Sequence, residues 1–283
     1  MSGFWIQLRG ELRKMFTRRR TYIGYGAFLV LEIVLLVVFH LDGTKDGMRG
    51  LLERNGFAFE NYYSSLTVTY WVMQLSILLL GGIYFALVSG DIVAKETEDG
   101  NMRLVLARPV SRLRVLLLKY VSVLIYTVTF VIFVGISGYL MAVAALGWDG
   151  GLFVWSPRMK VFAIYPEWWD GMSRLTLAAF LIGVASCTVS SIGFFFSCLK
   201  IKPAAATILA LSVLFLDFVL QQFPFMRPYE HLFITYRMNA WVYCLETTPG
   251  WARMGEDFVF LFGLNISFFV LGWMAFQLRD FKT

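Results

Sequence analysis

Six apolar stretches, each about as long as a bilayer is thick, constrain the fold of this chain more than any other feature. A helix rises about 1.5 Å per residue, so crossing roughly 30 Å of hydrocarbon takes about 20 residues. Six segments meet this length, at approximately 21–40, 66–88, 115–141, 175–198, 203–223 and 258–278. Because backbone polar groups must pair within the bilayer, these segments are expected to be helices. The sequence predicts an all-α membrane protein, with residues 1–283 forming a single transmembrane domain.

Composition agrees with membrane insertion and argues against other classes. Hydrophobic residues make up 58% of the chain and charged residues only 16%, which is far from the composition of a soluble domain. The net charge of +6 comes without a long basic tract interleaved with aromatics, so nucleic acid is not the expected partner. Cys187, Cys198 and Cys244 lack metal-ligand spacing and are interpreted as packing residues.

The distribution of lysine and arginine predicts the orientation of the spans. Sixteen of the 25 basic residues fall within 9–20, 95–119, 200–202 and 279–282, which share one side if there are six spans. The loops on the other side, roughly 41–65, 142–174 and 224–257, carry nine basic residues and eleven acids. Positively charged loops resist translocation, so both termini are predicted to be cytoplasmic, in a multi-pass protein of the inner (plasma) membrane.

Two segments outside the spans have patterns of their own. Before the first span, apolar residues recur at helical spacing among arginines and lysines, which predicts a helix lying in the headgroup layer. The alternative is a basic leader that only orients the chain. The third outer loop mixes prolines, charges and apolar residues, and it could contain short helices that dip back into the membrane where protein covers them.

The segment Ser89–Tyr120 is polar and lies between two spans, with its acids first and its bases later. This order matches the dipole of a short helix on the membrane surface, formed by 91–99 and ended by Gly100. Pro109 predicts a second break, and Ser111 can cap the helix that becomes the third span. The segment is therefore predicted to be a structured intracellular elbow with a protruding polar helix.

The string "KETEDGNMRLVLARPVSRLRVLLLKY" in this segment resembles the intracellular signature of ABC type-2 permeases, the membrane subunits of ATP-binding-cassette exporters. Nine positions match the signature in order and spacing: Glu96, Glu98, Gly100, Leu104, Leu106, Pro109, Ser111, Arg112 and Lys119. Asn101 replaces the usual threonine, and Leu118 replaces a common glycine. The predicted spans, termini and N-terminal helix extend the resemblance along the chain.

The resemblance implies a mechanism in which a coupling helix after the second span sits in a cleft of a cytoplasmic ATPase. The residues it assigns to this contact are Asp91, Lys95, Glu96, Glu98, Gly100, Arg103, Pro109, Ser111 and Arg112. Glu96 is expected on a surface helix, so reversing its charge should leave folding and insertion largely intact and should uncouple ATP hydrolysis from transport or loosen the ATPase. Two permease copies are implied, with a homodimer favoured over a heterodimer.

No lysine follows a glycine in this chain, so the phosphate loop of ATPases is absent from the sequence. We therefore expect the chain to be no enzyme and to bind no cofactor, and ATP and magnesium to bind in a separate ATPase subunit.

Two acids lie inside apolar runs, where an acid is costly unless it faces protein or water. Glu32 and Asp217 are candidates for a substrate path, continued by Gln221, or each forms an interhelical hydrogen bond. If both acids line a lumen, a cationic or amphipathic substrate is more favourable than an anionic one.

Two other classes of function remain open. An ion-coupled carrier could use Glu32 and Asp217 as proton sites, although six spans without an internal repeat argue against it. An intramembrane protease or lipid-modifying enzyme is disfavoured because the chain has only two histidines and lacks HExxH, GxSxG near a histidine, and paired membrane aspartates.

Overall fold

The computed structural model describes residues 2–102 and 110–279 of the chain. Their α-helices are α1 (Ser2–Phe16), α2 (Arg19–His40), α3 (Asp42–Arg54), α4 (Phe59–Tyr62), α5 (Ser65–Ser76), α6 (Gly82–Glu98), α7 (Arg112–Leu146), α8 (Trp168–Cys198), α9 (Pro203–Leu220), α10 (Ile234–Arg237) and α11 (Trp251–Gln277). Six stretches are long and apolar enough to cross a membrane, which confirms the six predicted spans. Spans 1, 3, 4, 5 and 6 are α2, α7, α8, α9 and α11, and span 2 combines α5 with α6.

Several spans are longer than their apolar cores, because capping residues rather than hydrophobicity set where a helix ends. Span 3 begins after Ser111, whose side chain accepts a hydrogen bond from the Arg114 backbone at 3.3 Å, as predicted for a cap. It ends at Gly147, where φ is +86° and a side chain would be strained. The apolar run therefore locates each span but does not give its full length.

Span 2 differs from its prediction at both its middle and its end. A π-helical turn, Ile77–Gly81, joins α5 to α6, so that span 2 is one continuous helical segment. The stretch 91–99, predicted as a separate surface helix, instead continues α6 as far as Glu98. Gly100 follows with φ at +74°, so the predicted stop is confirmed there.

Span 4 lies at the centre of the bundle and packs against spans 2, 3, 5 and 6. Its contact with span 2 depends on small residues, since a Cβ at Gly193 would come within 2.0 Å of the Ser89 hydroxyl. Further along, the Ser197 hydroxyl accepts hydrogen bonds from the backbone amides of Val93 and Ala94 at 3.0 and 2.9 Å. The polar end of α6 is thus held against span 4 and does not protrude.

A β-hairpin between spans 3 and 4 is absent from the sequence-based prediction. The described residues form one two-stranded sheet, in which β1 (Leu152–Ser156) and β2 (Val161–Tyr165) pair antiparallel. The Phe153 amide donates to the Thr67 hydroxyl at 2.8 Å, which attaches the hairpin to the start of span 2. This end of the bundle is called the hairpin end below.

The loop between spans 5 and 6 contains short helices, as predicted. Two 3₁₀ segments, Pro224–Leu232 and Ala240–Leu245, flank α10, and the second segment is fully buried. The Tyr165 hydroxyl donates to the carbonyls of Leu245 and Glu246 at 3.1 and 2.8 Å. These bonds join the loop to the hairpin, so the hairpin end is one connected layer.

At the opposite end, α1 packs along span 3, and this end is called the basic end below. Leu8 and Met15 of α1 are buried, whereas Trp5 and Ile6 are exposed on its outer side. The predicted N-terminal helix is therefore present, with apolar side chains facing away from the bundle. Its position in the headgroup layer stays a prediction.

Candidate functional site

An ion cluster joins three helices at the basic end. The Glu96 carboxylate of α6 lies 2.5 Å from the Lys119 ammonium of span 3 and 3.5 Å from the Arg18 guanidinium. Lys14 of α1 also pairs with Glu96, and Glu11 lies 3.3 Å from Lys119. The side chains of Glu96 and Lys119 are only 4% and 2% exposed. The central pair is therefore buried, while the outer cations remain in contact with solvent.

The expectation that Glu96 lies on a surface helix is wrong. Because α6 continues span 2, the residue is 3% exposed and points into the interface with α1 and span 3. Asp91, which precedes Glu96 on α6, is also buried, and Lys95 is half-buried. Only Glu98 and Asp99 at the end of α6 are exposed acids. The acids assigned to the coupling segment thus divide into a buried and an exposed group.

The other flank of the coupling segment is fixed to span 6. Arg112, the first residue of span 3, donates to the carbonyls of Gln277 and Arg279 at 3.0 and 3.2 Å. Arg279 in turn donates to the Leu199 carbonyl at 3.1 Å, in the turn between spans 4 and 5. The ends of spans 3, 4 and 6 are therefore tied together. Arg103 and Pro109, two further residues predicted for coupling, lie outside the described residues.

Glu32 is fully buried between spans 1 and 3. One carboxylate oxygen accepts a hydrogen bond from the Ser137 hydroxyl at 3.0 Å, and the other has no partner among the described residues. This geometry favours the interhelical hydrogen bond over the substrate path, which stays a prediction for Glu32.

Asp217 holds the loop that follows span 5. Its carboxylate accepts from the backbone amides of Ile234 and Thr235 at 3.0 and 2.8 Å. It also accepts from the Thr235 hydroxyl at 2.6 Å and from the Gln221 amide at 2.9 Å. Four donors therefore fix this acid at the start of α10. The described contacts do not bring Glu32 to Asp217 or Gln221, so the three predicted path residues form no single site.

A groove of about 620 Å³ lies between spans 2, 4 and 5 and reaches the hairpin end. The π-helical turn contributes Ile77, Leu78, Leu79 and Gly81 to its wall, and span 5 contributes apolar residues from Ile208 to Phe218. π-turns in helices frequently accompany functional sites. None of the three predicted path residues lines this groove.

Arg158, at the tip of the hairpin, is the charged residue that lines this groove, and it is not among the residues predicted from the sequence. One nitrogen of its guanidinium donates to the Gln221 side-chain oxygen. The guanidinium carbon lies 5.6 Å from the centre of the Tyr236 ring. A basic residue in a turn of a long loop carries little signal by itself, since only the fold places it over the groove.

The three cysteines are free thiols and are buried, as expected for packing residues: Cys187, Cys198 and Cys244. At the hairpin end, burial raises the pKa of the Cys244 thiol to about 12. Its reactive thiolate is therefore scarce near neutral pH.

Two comparisons bear on what this arrangement is. A family model described as "ABC-2 family transporter protein" matches residues 11–226, which is most of the chain. The Bacillus subtilis (strain 168) protein named "Uncharacterized protein YhcI" is 27% identical over 110 residues, covering 38% of this chain and 35% of that protein. The match thus spans about a third of that relative's length. With six spans and a polar segment tied to the bundle on both sides, this plasma-membrane protein belongs to the ABC-2 transporter family.

Proposed function

We propose that this chain is the permease subunit of an ABC exporter, which forms the substrate path and is driven by a separate cytoplasmic ATPase. The observation that carries the proposal is the double attachment of the segment 99–111. Glu96 fixes one flank to α1 and span 3, and Arg112 fixes the other to span 6. The excess of lysine and arginine supports a cytoplasmic position for this end.

Attachments at both flanks of this segment allow a movement to pass into the bundle. A push on the segment reaches span 2 through α6 and span 3 through Arg112 and Lys119. The bond from Arg279 to Leu199 extends the connection to the turn between spans 4 and 5. Packed interfaces shift as units rather than deform continuously, which suits a transition between inward-open and outward-open states.

The two groups of acids have different roles in this proposal. Glu98 and Asp99 are exposed and can meet basic residues of an ATPase cleft. Glu96 is buried and acts as a positioning residue, because its partners belong to this chain. Arg103 and Pro109 belong to the contact that the family resemblance implies.

The complex we propose contains two permease copies and two ATPase subunits. ATP and magnesium bind in the ATPase subunits, and this chain supplies no catalytic residue. Six helices barely enclose a path, so a homodimer is favoured over a single copy, with a related second permease as the alternative partner.

Co-purification tests the proposal directly. The chain is expected to co-elute in mild detergent with a protein that carries an ATPase phosphate loop, and the complex should hydrolyse ATP in nanodiscs. Glu98→Lys should weaken the complex or uncouple hydrolysis from transport without changing thermal stability. The matched control is Glu53→Lys, an exposed acid on α3 beyond the far end of span 1. Equal effects of the two variants, or the absence of any ATPase, would contradict the proposal.

The specific alternative is an ion-coupled carrier, favoured by the unpartnered oxygen of Glu32 among the described residues. Transport that persists in vesicles without ATPase, and that stops in Glu32→Gln, would support the carrier. The hydrogen bonds of Asp217 argue against a carrier. Its carboxylate already accepts four of them, which favours a structural role for this residue over proton transfer.

A further inference from the structure

The polar groups of the groove between spans 2, 4 and 5 are concentrated near the hairpin end. Arg158, Thr235 and Asn239 come from the hairpin and the loop around α10, and Gln74 lies in the adjacent part of span 2. Towards the middle of the bundle the walls are mostly apolar, with exposed side chains such as Leu79, Ile83 and Phe215 at the rim. The occupant that fits both parts has a polar head and a hydrocarbon tail.

The charge of Arg158 indicates which kind of head group the groove binds. Asp217 is the nearby acid, but its oxygens are occupied by donors from Gln221, Ile234 and Thr235. Arg158 instead binds the neutral Gln221 amide, and the described residues give it no ion pair. A cation without a carboxylate partner beside a membrane groove favours an anionic head group.

Gln74 gives a second, independent indication of a polar occupant. Its side-chain oxygen is buried and has no hydrogen-bond partner in the described parts of the chain. Hydrocarbon alone would leave this oxygen unpaired in a medium without water, which is unfavourable. A hydroxyl of the head group can donate to it.

The size of the groove matches one acyl chain of one leaflet. From Gln74 to Ile83 it follows span 2 for about 14 Å at 1.5 Å per residue. Half of a bilayer's hydrocarbon is about 15 Å thick. The volume of about 620 Å³ also lies in the range of sites that enclose a small molecule.

We propose that this groove binds one anionic phospholipid of the leaflet at the hairpin end, with its phosphate on Arg158 and an acyl chain along spans 2 and 5. The site is independent of the ATPase, so it stands or falls separately from the proposed function. Its charge preference is opposite to the cationic one expected if Glu32 and Asp217 had lined the path.

Photolabelling of the purified full chain in phosphatidylcholine nanodiscs tests the site. The probes are phosphatidylglycerol and phosphatidylcholine with a photoactivatable group in the acyl chain, and labelled residues are located by mass spectrometry. Labelling within 78–83 and 208–218 should favour phosphatidylglycerol by about fivefold, the effect of one basic residue near a lipid head. Arg158→Gln should bring the ratio to about one.

The matched control is Lys160→Gln, which removes a neighbouring exposed charge that does not line the groove and should keep the ratio. Ile208→Trp should fill the groove and reduce labelling by both probes, unlike Ile136→Trp on the exposed face of span 3. Equal labelling by the two lipids in the wild type, or an unchanged ratio in Arg158→Gln, would overturn the proposal. Cross-linking of Ile208→Cys to a second copy of the chain, with no lipid label, would overturn it as well.

Discussion

Replacing Glu96 with glutamine should destabilise the protein strongly, because the change leaves a buried lysine beside an amide. Glu96 and Lys119 are 2.5 Å apart, with side chains 4% and 2% exposed. At an effective dielectric constant of about 20, their gross attraction is about 7 kcal/mol. The cost of taking both ions out of water offsets much of this attraction, so the net value of the pair is smaller.

Removing one member of the ion pair lowers the free energy of unfolding by more than the intact pair contributes to it. Deleting one member of a buried ion pair typically costs about 3–5 kcal/mol, since the other charge stays buried. Lys119 keeps Glu11 at 3.3 Å, and that side chain is 26% exposed. Lys14, at 44% exposure, can return to water. Both features place the expected loss near the lower value, about 3 kcal/mol.

Thermal unfolding in detergent, followed by tryptophan fluorescence, measures this loss. A Tm decrease of about 10 °C is expected for Glu96→Gln. The control Glu98→Gln changes an exposed acid on the same helix and should shift Tm little. The double variant Glu96→Gln/Lys119→Met removes both charges and should regain most of the stability. Equal Tm values for the two glutamine variants, or no recovery in the double variant, would show that an unpaired buried Lys119 is not the cause of the loss.

Three other perturbations test separate parts of the fold. Asp217→Asn replaces one carboxylate oxygen with an NH2 group and so takes the acceptor from the backbone amide of Ile234 or of Thr235; the loop 224–245 should then exchange amide hydrogen faster, at a cost of about 1–3 kcal/mol. Gly193→Ala should lower Tm by forcing spans 2 and 4 apart, whereas Gly263→Ala, which has open space around it, should leave Tm equal or higher. Cys244 is buried and burial raises the pKa of its thiol, so it should resist maleimide at pH 7.5 in the folded protein and react after unfolding. Rapid labelling of folded protein at pH 7.5 would show that the thiol is accessible.

Features that depend on local sequence were predictable. Apolar runs of sufficient length located all six spans. Gly100 ends α6 and Ser111 caps span 3, because each acts on the backbone within a few residues of itself. The short helices after span 5 also follow from a local mixture of prolines and apolar residues.

Features that depend on packing between distant elements were not predictable in the same way. The burial of Glu96 requires α1 to lie across the ends of spans 2 and 3, and periodicity in α6 does not give that position. One signal was present in the sequence: Lys119 stands inside the apolar run "VLLLKYVSV" and needs a buried acid as partner. The hairpin also had a signal, the two apolar runs on either side of "PRMK".

The hydrogen bonds of the hairpin set an order in which the chain can mature during synthesis. The Glu96 cluster needs residues up to Lys119 only, so it can form once three spans have left the ribosome. Tyr165, by contrast, waits for the carbonyl of Glu246 near the start of span 6. Until then the nascent protein carries an uncovered hairpin outside its inserted helices. The hairpin end therefore stays unfinished after the Glu96 cluster has formed, and the bonds from Arg112 to the end of span 6 form later still.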